Sequence, residues 1–214
     1  MAKRKYGQYC GLARASEVVG ERWGLLIVRD LLVRDQRFGD LKRGLPRIPT
    51  NVLTSRLKTL EEAGVVERKL LSSPRNMVVY SLTEFGRDLE DIVLALGRWG
   101  AKLLGEADPD EIVTPESLVM ALRSTYRPEV VVGETSASYE LHVGDVVLHA
   151  IIDRGELSVQ PGEFGDAALT ITAGPAIRAV MAGELTPADA VESGAVSLTG
   201  DAALFDRFAA TFRI

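Results

Sequence analysis

The sequence is poor in the residues that bind metals or form disulfides. Cys10 is its single cysteine, and its two histidines, His142 and His149, have no obvious third ligand nearby in the sequence. We therefore predict no disulfide, no metal site and no cofactor. The sequence also lacks the run of about 20 apolar residues that a membrane span needs. Its basic start has no apolar signal-peptide stretch, so we expect a cytoplasmic protein.

Positive charge is concentrated in the first half of the chain. The formal net charge is −5, but residues 1–105 hold 19 Lys and Arg against 12 Asp and Glu, whereas residues 106–214 hold 6 against 18. The acidic, proline-containing stretch at residues 106–111 reads as a linker. We predict a basic domain over residues 1–105 and an acidic domain over residues 112–214. Any nucleic acid should bind the first, because the second repels phosphate.

The helix predicted from about Thr50 to Ala63 carries the most information, and Gly64 is placed to end it. At a helical period Leu57 and Leu60 lie within about 40° of Leu53, so these three leucines form the inward face. The opposite face is polar, and short polar side chains can approach base edges in a major groove. A polar helix face of this kind more commonly only faces solvent. We interpret it as a DNA-binding face because other features of DNA-binding domains lie beside it in the sequence.

Those features are a short helix before it, around residues 38–45, and a β-hairpin with a basic tip after it. Helix, turn, helix and basic hairpin are the order of a winged helix, whose second helix enters the major groove. We predict contacts to base edges by three residues, Asn51, Thr54 and Ser55. Contacts to the DNA backbone or minor groove are predicted for Lys42, Arg43, Arg47, Thr50, Lys58, Arg75 and Asn76.

Four stretches of this half resemble the HxlR-type winged-helix regulators, relatives of the MarR-like proteins. They are VGERWGLLIVRDL at 19–31, RFGDL at 37–41, VLTSRLKTLEEAGVV at 52–66 and YSLTEFG at 80–86. The resemblance implies a DNA-binding homodimer in which the outer helices of this half form much of the interface. Trp99 and Leu103 are interface candidates; the alternative is that they pack inside one subunit.

The sequence departs from this family's pattern at two positions. Pro49 stands where the family commonly has a polar capping residue, but proline suits a first helical turn, so the helix should persist. Gly11 stands where the family often has proline. The preceding Cys10 resembles a cysteine that senses oxidants or electrophiles in some relatives, and Arg14 would favour its thiolate form. An unreactive cysteine is the simpler alternative.

The acidic half alternates strand and helix patterns, which predicts an α+β fold. Its segments ALTIT at 168–172, MAGELTPADA at 181–190 and GAVSLTGD at 194–201 resemble the sterol-carrier-protein-like domain. That resemblance implies an antiparallel-rich five-stranded sheet with helices and an apolar cavity for lipid-like molecules. Candidate lining residues are Met181, Phe205, Phe208 and Phe212. The alternative is that this aromatic stripe is plain core.

The leading hypothesis is a dimeric, sequence-specific transcription regulator with double-stranded DNA as partner and an apolar small molecule as effector. The alternative is a lipid-binding carrier whose N-terminal half is only a dimerisation scaffold. A third option is an enzyme that uses Glu140 and His142 on one strand face. Because no nucleophile–base spacing or phosphate loop accompanies them, we expect no enzymatic activity.

Overall fold

The computed structural model describes residues 5–71, 77–105, 108, 110–131 and 136–214. The chain divides into two compact units, an N-terminal unit that ends at Val93 and a C-terminal unit that begins at Leu94. This boundary lies inside a helix, whereas the charge pattern predicts the division at residues 106–111. Within the described residues, no helix is both long and apolar enough to cross a membrane.

The N-terminal unit consists of short helices followed by a two-stranded sheet. Its elements are α1 (Gly11–Val19), α2 (Gly24–Val33), α3 (Phe38–Gly44), α4 (Thr50–Glu62), β1 (Val66–Leu71), β2 (Met77–Leu82) and α5 (Glu84–Arg87). Aliphatic side chains of α2, α3 and α4 form the core, including Ile27, Val28, Leu31, Leu41, Leu53, Leu57 and Leu60. The helical periodicity of the sequence therefore identifies the inward face of α4.

The strands β1 and β2 form an antiparallel hairpin. Val66 pairs with Leu82 at its base, and Leu71 pairs with Met77 at the last described position. A short third segment joins this sheet at Gln36, whose N–H donates to the Tyr80 carbonyl at 3.0 Å and whose carbonyl accepts from the Tyr80 N–H at 2.7 Å. The hairpin is thereby fixed to the loop between α2 and α3.

Two helices follow Thr83. Thr83 caps the short α5 by accepting a hydrogen bond from the Gly86 N–H at 3.0 Å. A side chain at Gly86 could not fit, because its Cβ would lie 2.1 Å from the Val65 carbonyl oxygen. A second helix, α6 (Glu90–Ala101), follows and crosses the boundary between the units.

No residue of α6 is buried in the single chain. Ile92, Leu96 and Trp99 are 57%, 45% and 61% exposed, and Leu103 just beyond the helix is 70% exposed. The second half of α6 belongs to the C-terminal unit, where Arg98 Nε donates to the Ser124 carbonyl at 2.7 Å. This contact explains why the boundary falls inside α6 and before residues 106–111.

The C-terminal unit contains a five-stranded sheet with order β5-β4-β3-β6-β7. Its strands are β3 (Ala137–Val143), β4 (Val146–Asp153), β5 (Glu156–Pro161), β6 (Leu169–Ala173) and β7 (Val196–Gly200). Only β3 and β6 pair in parallel; the other three pairs are antiparallel. The unit's helices are α7 (Pro115–Thr125), a 3-10 turn (Pro128–Val130), α8 (Ala176–Ala182), α9 (Pro187–Glu192) and α10 (Leu204–Thr211).

Burial alternates along β4, and along β3 except at Glu140, which is also buried, so one face of the sheet forms the core. Tyr139 on the inward face is fully buried, and its ring contacts Phe208 and Phe212 with centroid distances of 5.4 and 6.3 Å. The protein is therefore an α+β structure whose second unit has its own aromatic core.

Candidate nucleic-acid interface

The helix α4 presents one apolar and one polar face. Leu53, Leu57 and Leu60 are at most 1% exposed. The helix begins directly after Pro49, which makes no side-chain cap hydrogen bond, so it forms without the polar cap common in similar sequences. It ends at Glu62, and Gly64, two residues later, has a positive φ of 71° that glycine adopts readily. The Val65 N–H then donates back to the Leu60 carbonyl at 2.9 Å, which closes the helix.

The polar face of α4 consists of Asn51, Thr54, Ser55 and Lys58, and all four are exposed. The Thr54 hydroxyl donates to the Thr50 carbonyl at 2.9 Å, so its oxygen can still accept a hydrogen bond from a ligand. Lys58 has only a loose contact to Glu62, at 3.9 Å. This face therefore offers a neutral donor and acceptor set with one cation at its side.

Two ion pairs hold α4 in place. Arg56 Nη2 lies 2.7 Å from Glu21 Oε2, in the turn before α2. Arg68 of β1 contacts both carboxylate oxygens of Glu61, at 2.6 and 3.0 Å. The Glu61 carboxylate raises the pKa of Arg68 above its ordinary value, first through this hydrogen bond. Sequence reasoning missed both pairs, because partners 35 positions apart, such as Glu21 and Arg56, carry no local signal.

Basic residues lie in and after α3, the helix that precedes α4. Lys42 is half-buried, whereas Arg43 is exposed and ion-paired with Asp40. Arg47 is exposed in the turn between the two helices, and Thr50 is exposed at the first position of α4. The predicted wing residues Arg75 and Asn76 lie outside the described residues.

Cys10 is an exposed free thiol at the N-cap of α1. Arg14, which the sequence suggests as a partner for the thiolate, is ion-paired with Glu17 at 2.9 Å. Tyr6 donates its N–H to the same Glu17 side chain at 2.9 Å. The guanidinium therefore has another anionic partner, and the sensor role of Cys10 stays a prediction.

The four candidate ligand-lining residues, Met181, Phe205, Phe208 and Phe212, are all buried in the C-terminal unit. The Phe208 ring lies 4.8 Å from the Phe212 ring and 6.3 Å from the Phe205 ring, measured between centroids. These side chains fill the core with one another, so an apolar ligand would have to displace them. Among the described residues, no group of three potential ligand side chains could hold a metal ion.

A short helix, a turn, an exposed polar second helix and an antiparallel hairpin define the N-terminal unit as a winged helix-turn-helix domain. The family described as HxlR-like helix-turn-helix matches residues 18–108. The chain belongs to this family, because curated relatives match it over most of their own length.

Among these relatives is the uncharacterized HTH-type transcriptional regulator YkvN of Bacillus subtilis. It is 35% identical over 112 residues, which cover 51% of this chain and 95% of YkvN. The uncharacterized HTH-type transcriptional regulator Rv3095 of Mycobacterium tuberculosis is 45% identical over 93 residues, which cover 44% of this chain and 58% of Rv3095. The chain thus spans little more than half the length of the mycobacterial relatives that it matches.

Solved structures are similar to about the same share of this chain as the curated relatives are. The reduced form of the transcriptional regulator YodB from Bacillus subtilis is 29% identical, with a TM-score of 0.40. It covers 47% of this chain, and the match includes 100% of the YodB chain. The family model, which matches residues 18–108, places the family likeness in the first half of this protein.

Proposed function

We propose that the protein is a sequence-specific, DNA-binding transcription regulator. The observation that supports this most strongly is the exposed polar face of α4, which lies opposite the buried leucines in a helix-turn-helix domain. Membership of the HxlR-like family supports the same function.

In this proposal, α4 enters the major groove. Asn51, Thr54 and Ser55 contact base edges, because their short side chains carry both donors and acceptors. Lys58 contacts a phosphate and contributes affinity without sequence preference. Further backbone contacts come from Lys42, Arg43, Arg47 and Thr50, with Arg75 and Asn76 reaching the DNA from the hairpin tip.

We also propose that the protein acts as a homodimer. Three exposed apolar residues recur at helical spacing along α6, Ile92, Leu96 and Trp99, and exposed Leu103 follows just after the helix. A row of this kind is costly to leave in water. Two copies related by twofold symmetry would bury it and present two recognition helices. Such a pair suits a roughly palindromic operator with half-sites about one DNA turn apart.

Control by an apolar effector stays a prediction, because its candidate residues form the aromatic core of the C-terminal unit. A screen of fatty acids by thermal shift tests it. A rise in the unfolding temperature that grows with ligand concentration would support an apolar effector, since a ligand that binds the folded state stabilises it. If no fatty acid changes the unfolding temperature, the aromatic residues are only part of the hydrophobic core.

The test of DNA binding is a gel-shift series with genomic fragments at two salt concentrations. We expect wild-type affinity to fall steeply with salt, as phosphate contacts require. Lys58→Gln should reduce the slope of log affinity against log salt by about 1. The matched control is Arg154→Gln, which removes an exposed cation from the acidic unit and should bind like wild type. No binding to any fragment at either salt concentration would favour the alternative, a lipid carrier.

A further inference from the structure

A hollow of about 390 Å³ lies within the C-terminal unit, and basic residues line it. Arg98 and Lys102 border it from the end of α6. Arg127 lies in the segment that follows α7, and Arg213 lies after α10. The volume falls in the range of sites that hold small molecules, roughly 300 to 1,000 Å³. The aromatic core residues discussed above do not line it.

The charge of this hollow is opposite to that of its unit. From Leu94 to Ile214 the sequence has 8 Lys and Arg against 18 Asp and Glu. Four of those eight cations line the hollow, together with one acidic side chain, Glu129. Half of the cations of an acidic unit therefore converge on one concave surface, and this produces a local positive potential.

Backbone hydrogen bonds fix two of the arginines. Tyr126 and Phe212 form an isolated antiparallel bridge. The Arg127 N–H donates to the Thr211 carbonyl, and the Arg213 N–H donates to the Thr125 carbonyl, both at 2.9 Å. Because side chains alternate between the faces of extended chain, Arg127 and Arg213 leave this bridge on the same side. Such preorganisation lowers the entropic cost of binding a ligand.

A glycine leaves room for one of these guanidinium groups. Gly183 ends α8 with a positive φ of 72°. A Cβ at this position would lie 1.8 Å from Arg213 Nη2 and 2.4 Å from its Cζ. The Arg213 guanidinium therefore lies directly over the glycine, where any larger residue would have to displace it.

Three cations of the hollow are not used in ion pairs within the part of the chain that the structure describes: Lys102, Arg127 and Arg213. Arg98 uses its Nε to reach the Ser124 carbonyl, which orients its guanidinium group. The hollow thus holds four cationic side chains beside one carboxylate, that of Glu129.

We propose that this hollow binds a small organic anion that carries a carboxylate or phosphate group. Guanidinium groups match the geometry of both groups and bind them through paired hydrogen bonds. Pro128, which also lines the hollow, provides an apolar wall for the organic part of the ligand. The proposal does not depend on DNA binding, because every residue involved belongs to the C-terminal unit.

Isothermal titration calorimetry on the full chain without DNA tests the proposal. The probes are benzoate, citrate and inorganic phosphate at constant ionic strength. We expect at least one probe to bind saturably at one site per chain. Binding of carboxylates alone, or of phosphate alone, would support the site and identify the group that it accepts.

Arg127→Gln should weaken that binding at least fivefold, and the double variant Lys102→Gln/Arg127→Gln at least tenfold. Arg154→Gln, another exposed arginine of the same unit, is the matched control and should bind like wild type. Both test positions are exposed, so the variants should stay folded, and circular dichroism checks this. If Arg127→Gln unfolds, the single variant Lys102→Gln replaces it in the binding test. No saturable binding of any probe, or equal binding by all folded variants, would overturn the proposal.

Discussion

Arg56 of α4 donates a hydrogen bond to the Glu21 carboxylate at 2.7 Å and thereby links the proposed recognition helix to the turn before α2. Arg56 is largely covered, whereas Glu21 is about half exposed. A pair of this exposure contributes little to stability, at most about 1 kcal/mol. Its effect is to orient α4, so that the polar residues of the helix remain on the outer surface while its leucines stay buried.

Asn51 should control base preference more than overall affinity. Asn51→Ala is expected to cost about 1–3 kcal/mol on the preferred sequence, because a side-chain amide that reads a base edge is lost. Binding to unrelated DNA should change little. Fluorescence anisotropy with a selected fragment and a scrambled one measures both effects. Gln160→Ala, which removes an exposed amide from the C-terminal unit, is the control. An equal loss on both fragments would mean that Asn51 does not read bases.

Trp99 should hold the dimer together. It is 61% exposed in the single chain, and Trp99→Asp would place a charge in the proposed interface. Sedimentation velocity should then show a dimer for the wild-type protein and a monomer for the variant. Val191→Asp, at another exposed apolar position, should stay dimeric. A monomeric wild type, or a dimer that Trp99→Asp leaves intact, would contradict the role given to α6.

Glu140 should stabilise the C-terminal unit in a manner that depends on pH. Its carboxylate accepts the Phe164 N–H at 2.7 Å and contacts His142 Nε2 at 2.7 Å. These two contacts, the Phe164 hydrogen bond first, lower the pKa of Glu140 below its ordinary value. A lowered folded-state pKa gives stability that is present above the unfolded-state pKa and is lost as the pH falls through the folded value.

Glu140→Gln should therefore reduce the free energy of unfolding by about 1–3 kcal/mol near pH 7. The difference from wild type should shrink as the pH falls below about 4, the range where glutamate ordinarily titrates. Urea unfolding followed by circular dichroism at several pH values measures this. Glu156→Gln, at an exposed position of β5, should differ little from wild type throughout. A difference that stays constant with pH would show that the charge of Glu140 is not responsible.

Local patterns in the sequence predict those parts of the fold that depend on neighbouring residues. The spacing of Leu53, Leu57 and Leu60, followed by Gly64, is enough to predict α4 and its inward face. The pattern misleads in α1, where Leu12 shares a helical spacing with other apolar residues. In the structure Ala13 is the buried residue and Leu12 is 77% exposed. Which side of a short helix faces inward depends on what packs against it.

Features made by distant segments could not be predicted from the sequence. Arg98, Arg127 and Arg213 line the same hollow although they are far apart in the sequence. The bridge between Tyr126 and Phe212 brings Arg127 and Arg213 together. The boundary between the two units, which falls inside α6, also depends on residues that are distant in the sequence, because Arg98 of this helix contacts Ser124. The acidic stretch at residues 106–111 marks a change in composition, whereas packing sets the boundary of the compact units.

The central claim is that the exposed face of α4 lies against DNA, and one charge placed on that face tests it most directly. Ser55→Glu puts a carboxylate among the phosphates, and we expect it to weaken binding of a selected fragment at least a hundredfold in fluorescence anisotropy. Ser158→Glu makes the same change at an exposed position of β5 and should bind like wild type. Equal, tight binding by wild type and Ser55→Glu would contradict the account.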